Sequence, residues 1–279
     1  MDKYTLKKEI SKKIYEQKKQ NKKIGFVPTM GALHNGHLSL IKKCKAENDI
    51  CVVSIFVNPT QFNDKNDLEK YPRTLNADLE KIQNFCDFVF VPDENEIYDT
   101  PDNRVFDFGN LDKVMEGKHR AGHFKGVAQV VSLLFDIITP DKAYFGKKDF
   151  QQLAIIKKLV KDYNYNIDII PCDIIREESG LAMSSRNERL NPELRKNASE
   201  IYKALKKSLD YINIKEPEQL TKYVINTINK NSDITVEYYD IVDDNTLKPI
   251  KKWDESKNIT GCIAAYTGGV RLIDNIKYK

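Results

Sequence analysis

Two histidines three residues apart, His34 and His37, are the residues of this chain best placed to do chemistry. They close the stretch Gly25-Phe-Val-Pro-Thr-Met-Gly-Ala-Leu-His-Asn-Gly-His37. Their i, i+3 spacing sets both rings on one face of a helix start. The N-terminal end of a helix presents unpaired N–H groups and partial positive charge, which suits phosphate. Two imidazoles added there can donate hydrogen bonds to a charged phosphate as it rearranges. The same pair could bind zinc, but metal sites usually need a third nearby ligand. The other two histidines, His119 and His123, lie far along the chain and come without a cysteine cluster. Upstream, Ile24–Val27 reads as a buried strand, and Pro28 is expected to end it because proline cannot donate to a sheet ladder. Gly31 and Gly36 lack side chains, so a flat or bulky ligand can approach the backbone there. The chemistry is that of a nucleoside triphosphate at the edge of a parallel sheet.

Further candidates lie downstream. Lys148 is a point charge suited to phosphate oxygens, placed between a short strand and a helix start that carries Asp149 and Gln152. Asp149 could hydrogen-bond ribose hydroxyls or cap the helix. Met183-Ser184-Ser185-Arg186, just after Gly180, combines hydroxyls with a guanidinium fork that can clamp a triphosphate as charge builds. Asp78, four residues after Thr74, could help hold magnesium or pair with Lys81. Only eight of the 45 basic residues are arginines, and Arg73, Arg120, Arg176 and Arg186 fall in or beside these segments. Where lysine fills the surface, retained arginine points to sites that need its planar fork. The paired lysines at 7–8, 12–13, 18–19 and 206–207 read as solvated helix faces.

The elements that must position these groups alternate. Strands are expected at Ile24–Val27, Ile50–Val57, Phe88–Val91, Ala143–Phe145 and Ile167–Pro171. Helices are expected at 37–47, 74–85, 126–139 and 149–163. The β-α-β-α order implies a parallel, doubly wound α/β sheet. On such sheets ligands bind beyond the carboxyl ends of the strands. A boundary near Asp173 separates residues 1–173 from a smaller α+β domain, 174–279, expected to cap the site. There Asn191-Pro192 reads as a helix cap, helices run to about residue 231, and Val236–Val242, Gly261–Tyr266 and Val270–Ile273 read as strands.

Pro28-Thr-Met-Gly-Ala-Leu-His-Asn-Gly-His37 resembles the signature of the H-I-G-H nucleotidyltransferase superfamily. Within it the chain is similar to the pantoate–β-alanine ligase (pantothenate synthetase) family. The supporting blocks, in order, are Phe56–Phe62, Tyr71–Thr74, Glu116–Val127 with Arg120 and His123, Gly146–Gln152, and Gly180–Asn187. Together they span the first two thirds of the chain, and the last third carries no matching motif. The resemblance implies a Rossmann-like nucleotide-binding domain and a homodimer. It also implies condensation of pantoate with β-alanine through a pantoyl-adenylate, with release of AMP and pyrophosphate. ATP would meet Met30, Gly31, Ala32, Leu33, His34, Asn35, Gly36 and His37. It would also meet Gly146, Lys147, Lys148, Asp149, Met183, Ser184, Ser185, Arg186 and the backbone of Ile175. His34, His37, Lys148 and Arg186 would act on its phosphates. Lys147 stands where the family varies and is often acidic. Gln61 and Gln152 would read pantoate, with Gln61 also near β-alanine. Arg120 and His123 fit the family pattern without a fixed role. A nucleotidyltransferase that stops at a dinucleotide is the alternative, but its phosphorylated acceptor calls for a cationic pocket rather than two glutamines.

Composition narrows the rest. At 279 residues the chain can bury a core without staples. Five cysteines without C-x-x-C spacing argue against a disulfide framework or zinc ribbon and for a reducing, cytoplasmic setting. No apolar run approaches the roughly 18 residues of a membrane helix. A net charge of +4 gives no footprint for nucleic acid, and no basic stripe with interleaved aromatics supports an RNA-binding module. Magnesium is expected to arrive with ATP, with no tightly bound metal.

Overall fold

The computed structural model describes all 279 residues. In chain order the elements begin β1 (Asp2–Tyr4), α1 (Lys7–Lys19), β2 (Ile24–Thr29), α2 (Asn35–Glu47), β3 (Ile50–Ile55), α3 (Lys65–Glu69), α4 (Leu75–Ile82), β4 (Phe88–Phe90) and α5 (Glu94–Ile97). Next come α6 (Met115–His119), α7 (His123–Ile138), β5 (Lys142–Gly146), α8 (Phe150–Asp162) and β6 (Asp168–Cys172). The last are α9 (Pro192–Ser208), α10 (Pro217–Ile228), β7 (Ile234–Asp243), β8 (Ile259–Thr267) and β9 (Val270–Lys277). The chain divides into two compact units. The first holds 1–108, 120–147 and 152–173; the second holds 109–119, 148–151 and 174–279.

The first unit is built on a six-stranded sheet of order β1-β4-β3-β2-β5-β6, with every pairing parallel. Parallel sheets are covered on both faces, and alternate residues of β2 show how. Val27 faces one apolar cluster with Leu33 and Ile41, which the partly buried Leu75 and Leu79 of α4 extend. Phe26 meets Phe135 of α7 edge-on at 6.4 Å between ring centres. The chain winds outward from β2 through β3 to β4, then returns to lay β5 on the other side of β2. That reversal is the topological switch at which such sheets take ligands, and the turn carrying both histidines leaves β2 there.

One expectation is corrected and one strand is added. Pro28 does not end its strand, which runs on to Thr29 with Pro28 registered against Ser54. The ladder to β5 is registered only at Gly25 and Phe26, so Pro28 lies beyond the stretch where a donor would be needed on that side. Asp2–Tyr4, which shows no strand periodicity, forms the edge strand beside β4.

The second unit is an antiparallel sheet of order β7-β8-β9 packed with α9 and α10. Ile201 and Leu205 of α9, Leu220 and Val224 of α10, and Ile241, Ile263 and Leu272 of the strands share one buried cluster. Asn191 caps α9 by accepting from the Leu194 N–H at 2.8 Å, with Pro192 at the first helical position.

Candidate active site

In the first unit the two histidines are the cap of α2. His34 is the N-cap, and its Nδ1 accepts from the Gly36 N–H at 3.1 Å. His37 Nδ1 accepts from the His34 N–H at 3.3 Å. The two rings lie 4.0 Å apart between centres. A backbone N–H can only donate, so each Nδ1 is an acceptor and a neutral ring carries its proton on Nε2. The cap thus fixes the tautomer as well as the direction of both rings. Each can present an N–H donor, which is the group a phosphate oxygen needs.

The turn before the cap is wound left-handed, with φ of +80° at Gly31 and +49° at Ala32. Left-handed backbone is costly for a residue with a side chain. Here Asp78 of α4 compensates. Its carboxylate accepts from the Ala32 N–H at 2.8 Å, the Leu33 N–H at 2.7 Å and the Thr74 hydroxyl at 3.2 Å. Asp78 is 1 % exposed. The expected pairing with Lys81 does not form. The Asp78 oxygens hold the turn, and Lys81 donates to the Leu33 carbonyl instead of pairing with Asp78. Gly31 also serves the protein's own packing, since a Cβ there would press on Asp78 and Ile55 at 3.1 Å.

Gln61 ends a short 3-10 turn, Pro59–Gln61, after β3. Its side-chain amide is held by Asn58 Nδ2 at 3.3 Å and lies 2.7 Å from Met30 Sδ. Its backbone carbonyl accepts from His123 Nδ1 at 2.7 Å, and Arg120 reaches His123 Nε2 at 3.1 Å. A carbonyl only accepts and a guanidinium only donates, so His123 carries its proton on Nδ1. Arg120 and His123 therefore support Gln61. Gly126 of α7 lets this helix approach, because a Cβ would stand 2.4 Å from the Thr60 carbonyl oxygen. Gln152, also in the first unit, is half-buried on α8. Lys147 turns to Asp173 at 2.6 Å, and its N–H bonds the Cys172 carbonyl. The Lys147 contact lowers the Asp173 carboxyl below its ordinary value.

Lys148, Asp149, Ile175 and Met183–Arg186 belong to the second unit. Asp149 immediately precedes α8, and Lys148 Nζ lies 3.8 Å from its carboxylate. Residues 174–187 form a tight hairpin. The Met183 N–H bonds the Ile175 carbonyl, and Arg176 bridges Ala182. Gly180 turns it with φ of +93°, against the Tyr202 ring that a Cβ would strike at 2.6 Å. Ser184 caps a 3-10 turn, Ser185–Arg189, by accepting from the Arg186 N–H at 3.3 Å. Ser185 is buried. Glu177 accepts from Asn187 at 2.8 Å and from Arg195 at 2.9 Å, which ties the hairpin's two ends together.

Segment 109–119 is joined to the small sheet. Arg271 forks onto Glu116 at 2.7 and 2.8 Å and reaches Glu237 at 2.5 Å. Tyr238 donates to Glu116 at 2.8 Å, and Gln151 accepts from the Glu116 N–H at 2.9 Å. These supports escape a sequence reading, except that Glu116 and Gln151 fall inside motif blocks. Asp78 had its helix position as a sign.

The family model for pantoate-beta-alanine ligase matches residues 3–277. A pantothenate synthetase of Azobacteroides pseudotrichonymphae is 56% identical over 274 residues, 97% of each chain. One from Bacteroides thetaiotaomicron is 50% identical over 273 residues, 98% of this chain and 97% of its own. The crystal structure of pantothenate synthetase from Thermus thermophilus superposes with a TM-score of 0.93 at 35% identity, covering 100% of this chain and 99% of the other. The Francisella tularensis pantoate-beta-alanine ligase, solved with beta-gamma ATP and beta-alanine, gives 0.85 at 38% identity, covering 100% and 98%.

Proposed function

The chain belongs to the pantoate–β-alanine ligase family, and on that premise we propose that it joins pantoate to β-alanine by way of a pantoyl-adenylate. Hydroxide is a poor leaving group, so a carboxylate must be activated before an amine can displace it. The pantoate carboxylate attacks the α-phosphorus of ATP, a P–O bond forms, and the bond to pyrophosphate breaks. The β-alanine amine then attacks the acyl carbon, AMP leaves, and the amine gives up a proton. Magnesium comes as part of the ATP substrate.

In this reading the first unit supplies His34 and His37 as Nε2–H donors to phosphate oxygens. It also supplies Gln61 and Gln152 as neutral readers of the pantoate hydroxyls. The second unit supplies Lys148, Ser184, Ser185 and Arg186 for the triphosphate. The observation that carries the reading is the histidine cap, because its geometry leaves both rings as donors. Preorganised donors aimed at developing charge cost no reorganisation during reaction. The enzyme works as a homodimer in the cytoplasm, where its five buried unpaired thiols stay reduced. No helix is long and apolar enough to cross a membrane.

Labelled pyrophosphate should exchange into ATP with pantoate and without β-alanine. His37→Ala and Lys148→Ala should each slow that exchange by about 100–1,000-fold, the usual cost of one such donor. ADP and phosphate as products would mean an acyl-phosphate route and end the proposal. A variant that makes the adenylate at the normal rate and fails only with β-alanine would remove that residue from the phosphate site.

A further inference from the structure

The third of the chain without motifs contains a two-residue step, Asp274-Asn275 of β9, that touches both phosphate-binding segments of the second unit. Asn275 Nδ2 donates to the Lys148 backbone carbonyl at 3.1 Å. Asp274 accepts two bonds from the Arg176 fork, at 2.6 and 2.9 Å, and a third from the Asn275 N–H at 2.7 Å. Arg176 in turn donates to the Gly180 carbonyl at 3.2 Å and lies 3.6 Å over the Tyr202 ring. It thereby holds the hairpin that ends in Met183–Arg186. Asp274 and Asn275 are 5 % and 8 % exposed. Successive strand residues point to opposite faces, so two buried polar neighbours break the half-buried pattern that starts at Val270. A polar residue buried in a small sheet is costly unless its bonds are made. Here those bonds end on the segments assigned to the triphosphate. Burial pushes the Asp274 carboxyl up, and the Arg176 fork opposes that.

We propose that Asn275 is a positioning residue for adenylation, setting Lys148 through its backbone while the adjoining Asp274–Arg176 pair sets the Met183–Arg186 loop from the same strand. This rests on the assignment of Lys148 and that loop to the ATP phosphates. The small sheet is then a jig: one strand fixes two cationic segments that lie far apart in sequence. Misplacement of a catalytic group by about 1 Å can cost about a hundredfold in rate. The loss should fall on the first half-reaction, because only there does the triphosphate react.

The test is a double-mutant cycle read by pantoate-dependent pyrophosphate exchange. Asn275→Ala should lower exchange by about ten- to a hundredfold. Transfer of preformed pantoyl-adenylate to β-alanine should be nearly unchanged. Added to Lys148→Ala, Asn275→Ala should cost little more, since residues acting as one unit are not additive. Arg176→Lys, which keeps charge but loses the fork, should behave likewise with Arg186→Ala. Full additivity in the Asn275 cycle would overturn the inference, as would Asn275→Ala exchanging at the normal rate. Those results leave the ligase reading intact. That reading fails separately if the unaltered enzyme shows no exchange and releases ADP.

Discussion

The two units secure their candidate phosphate groups by different physics. In the first, the histidine turn is held by short local caps and one carboxylate, with neutral rings and backbone N–H groups carrying the geometry. In the second, the loop after Ile175 depends on one buried ion pair and Lys148 on one amide, each reached across about a hundred residues of chain or more. A cap restricts one backbone turn and leaves little to go wrong. A buried ion pair costs desolvation and gives a single arrangement only if every bond is made. The first device suits rings that must keep one tautomer. The second suits flexible cationic side chains whose starting point must be fixed.

The comparison is broken most directly at Asp78, where the first unit also uses a distant charge. Asp78→Ala removes the carboxylate that accepts from the Leu33 and Ala32 N–H groups, at about 1–3 kcal/mol for each buried bond lost. We expect roughly 2–5 kcal/mol lost in urea unfolding, together with slower pyrophosphate exchange as the left-handed turn relaxes. Normal stability with normal exchange would show that the cap alone holds the turn.

A smaller effect is expected at Gln61. Gln61→Ala should lose roughly ten- to a hundredfold in kcat/KM for pantoate, taking about 1–3 kcal/mol for each hydroxyl partner lost. Calorimetric binding of ATP should hardly change. His123→Ala should lose less, about tenfold, because it removes only the support of the Gln61 carbonyl. If His123→Ala weakened ATP binding and left pantoate kinetics alone, Arg120 and His123 would belong to the nucleotide instead.

The smallest effect concerns pH. Burial raises the Asp141 carboxyl, but the Ile24 N–H, at 2.8 Å, and Lys23 together hold it below its ordinary value. A depressed carboxyl stabilises the fold above its unfolded value, near about 3.9, and loses that stabilisation as pH falls through the lower folded value. Asp141→Asn should therefore flatten the acid limb of stability below about pH 4. Urea midpoints that fall in parallel for both proteins down to about pH 3 would show that Asp141 contributes nothing there.

What was legible in the sequence follows the same division. The strand, turn and helix start from Ile24 to His37 are contiguous, so residue types and spacing expose them, although the helix begins at Asn35 with His34 as its cap rather than at His37. The alternation of strand and helix reveals the parallel sheet because both periods are local. Pro28 misled because its effect depends on where the neighbouring ladder stops. Asp2–Tyr4 is too short to show a period. Asp78, Arg120 and His123 could be singled out but not assigned, since their partners lie 45 and 62 residues away for Asp78 to Leu33 and His123 to Gln61. Asn275 lies 127 residues from the carbonyl it holds, and such pairings leave no trace in any window of sequence.

The chain path decides how this protein could be taken apart. The backbone passes between the units at Phe108–Gly109, His119–Arg120, Lys147–Lys148, Gln151–Gln152 and Asp173–Ile174. A gene divided after codon 173 would thus yield neither unit whole. The upstream fragment would carry Glu116, Lys148 and Gln151 without Arg271 and Asn275, and the downstream fragment would have their partners and nothing to grip. Co-expressed halves should regain activity only by assembling with each other, so a split enzyme of this kind would report on association rather than on independent modules.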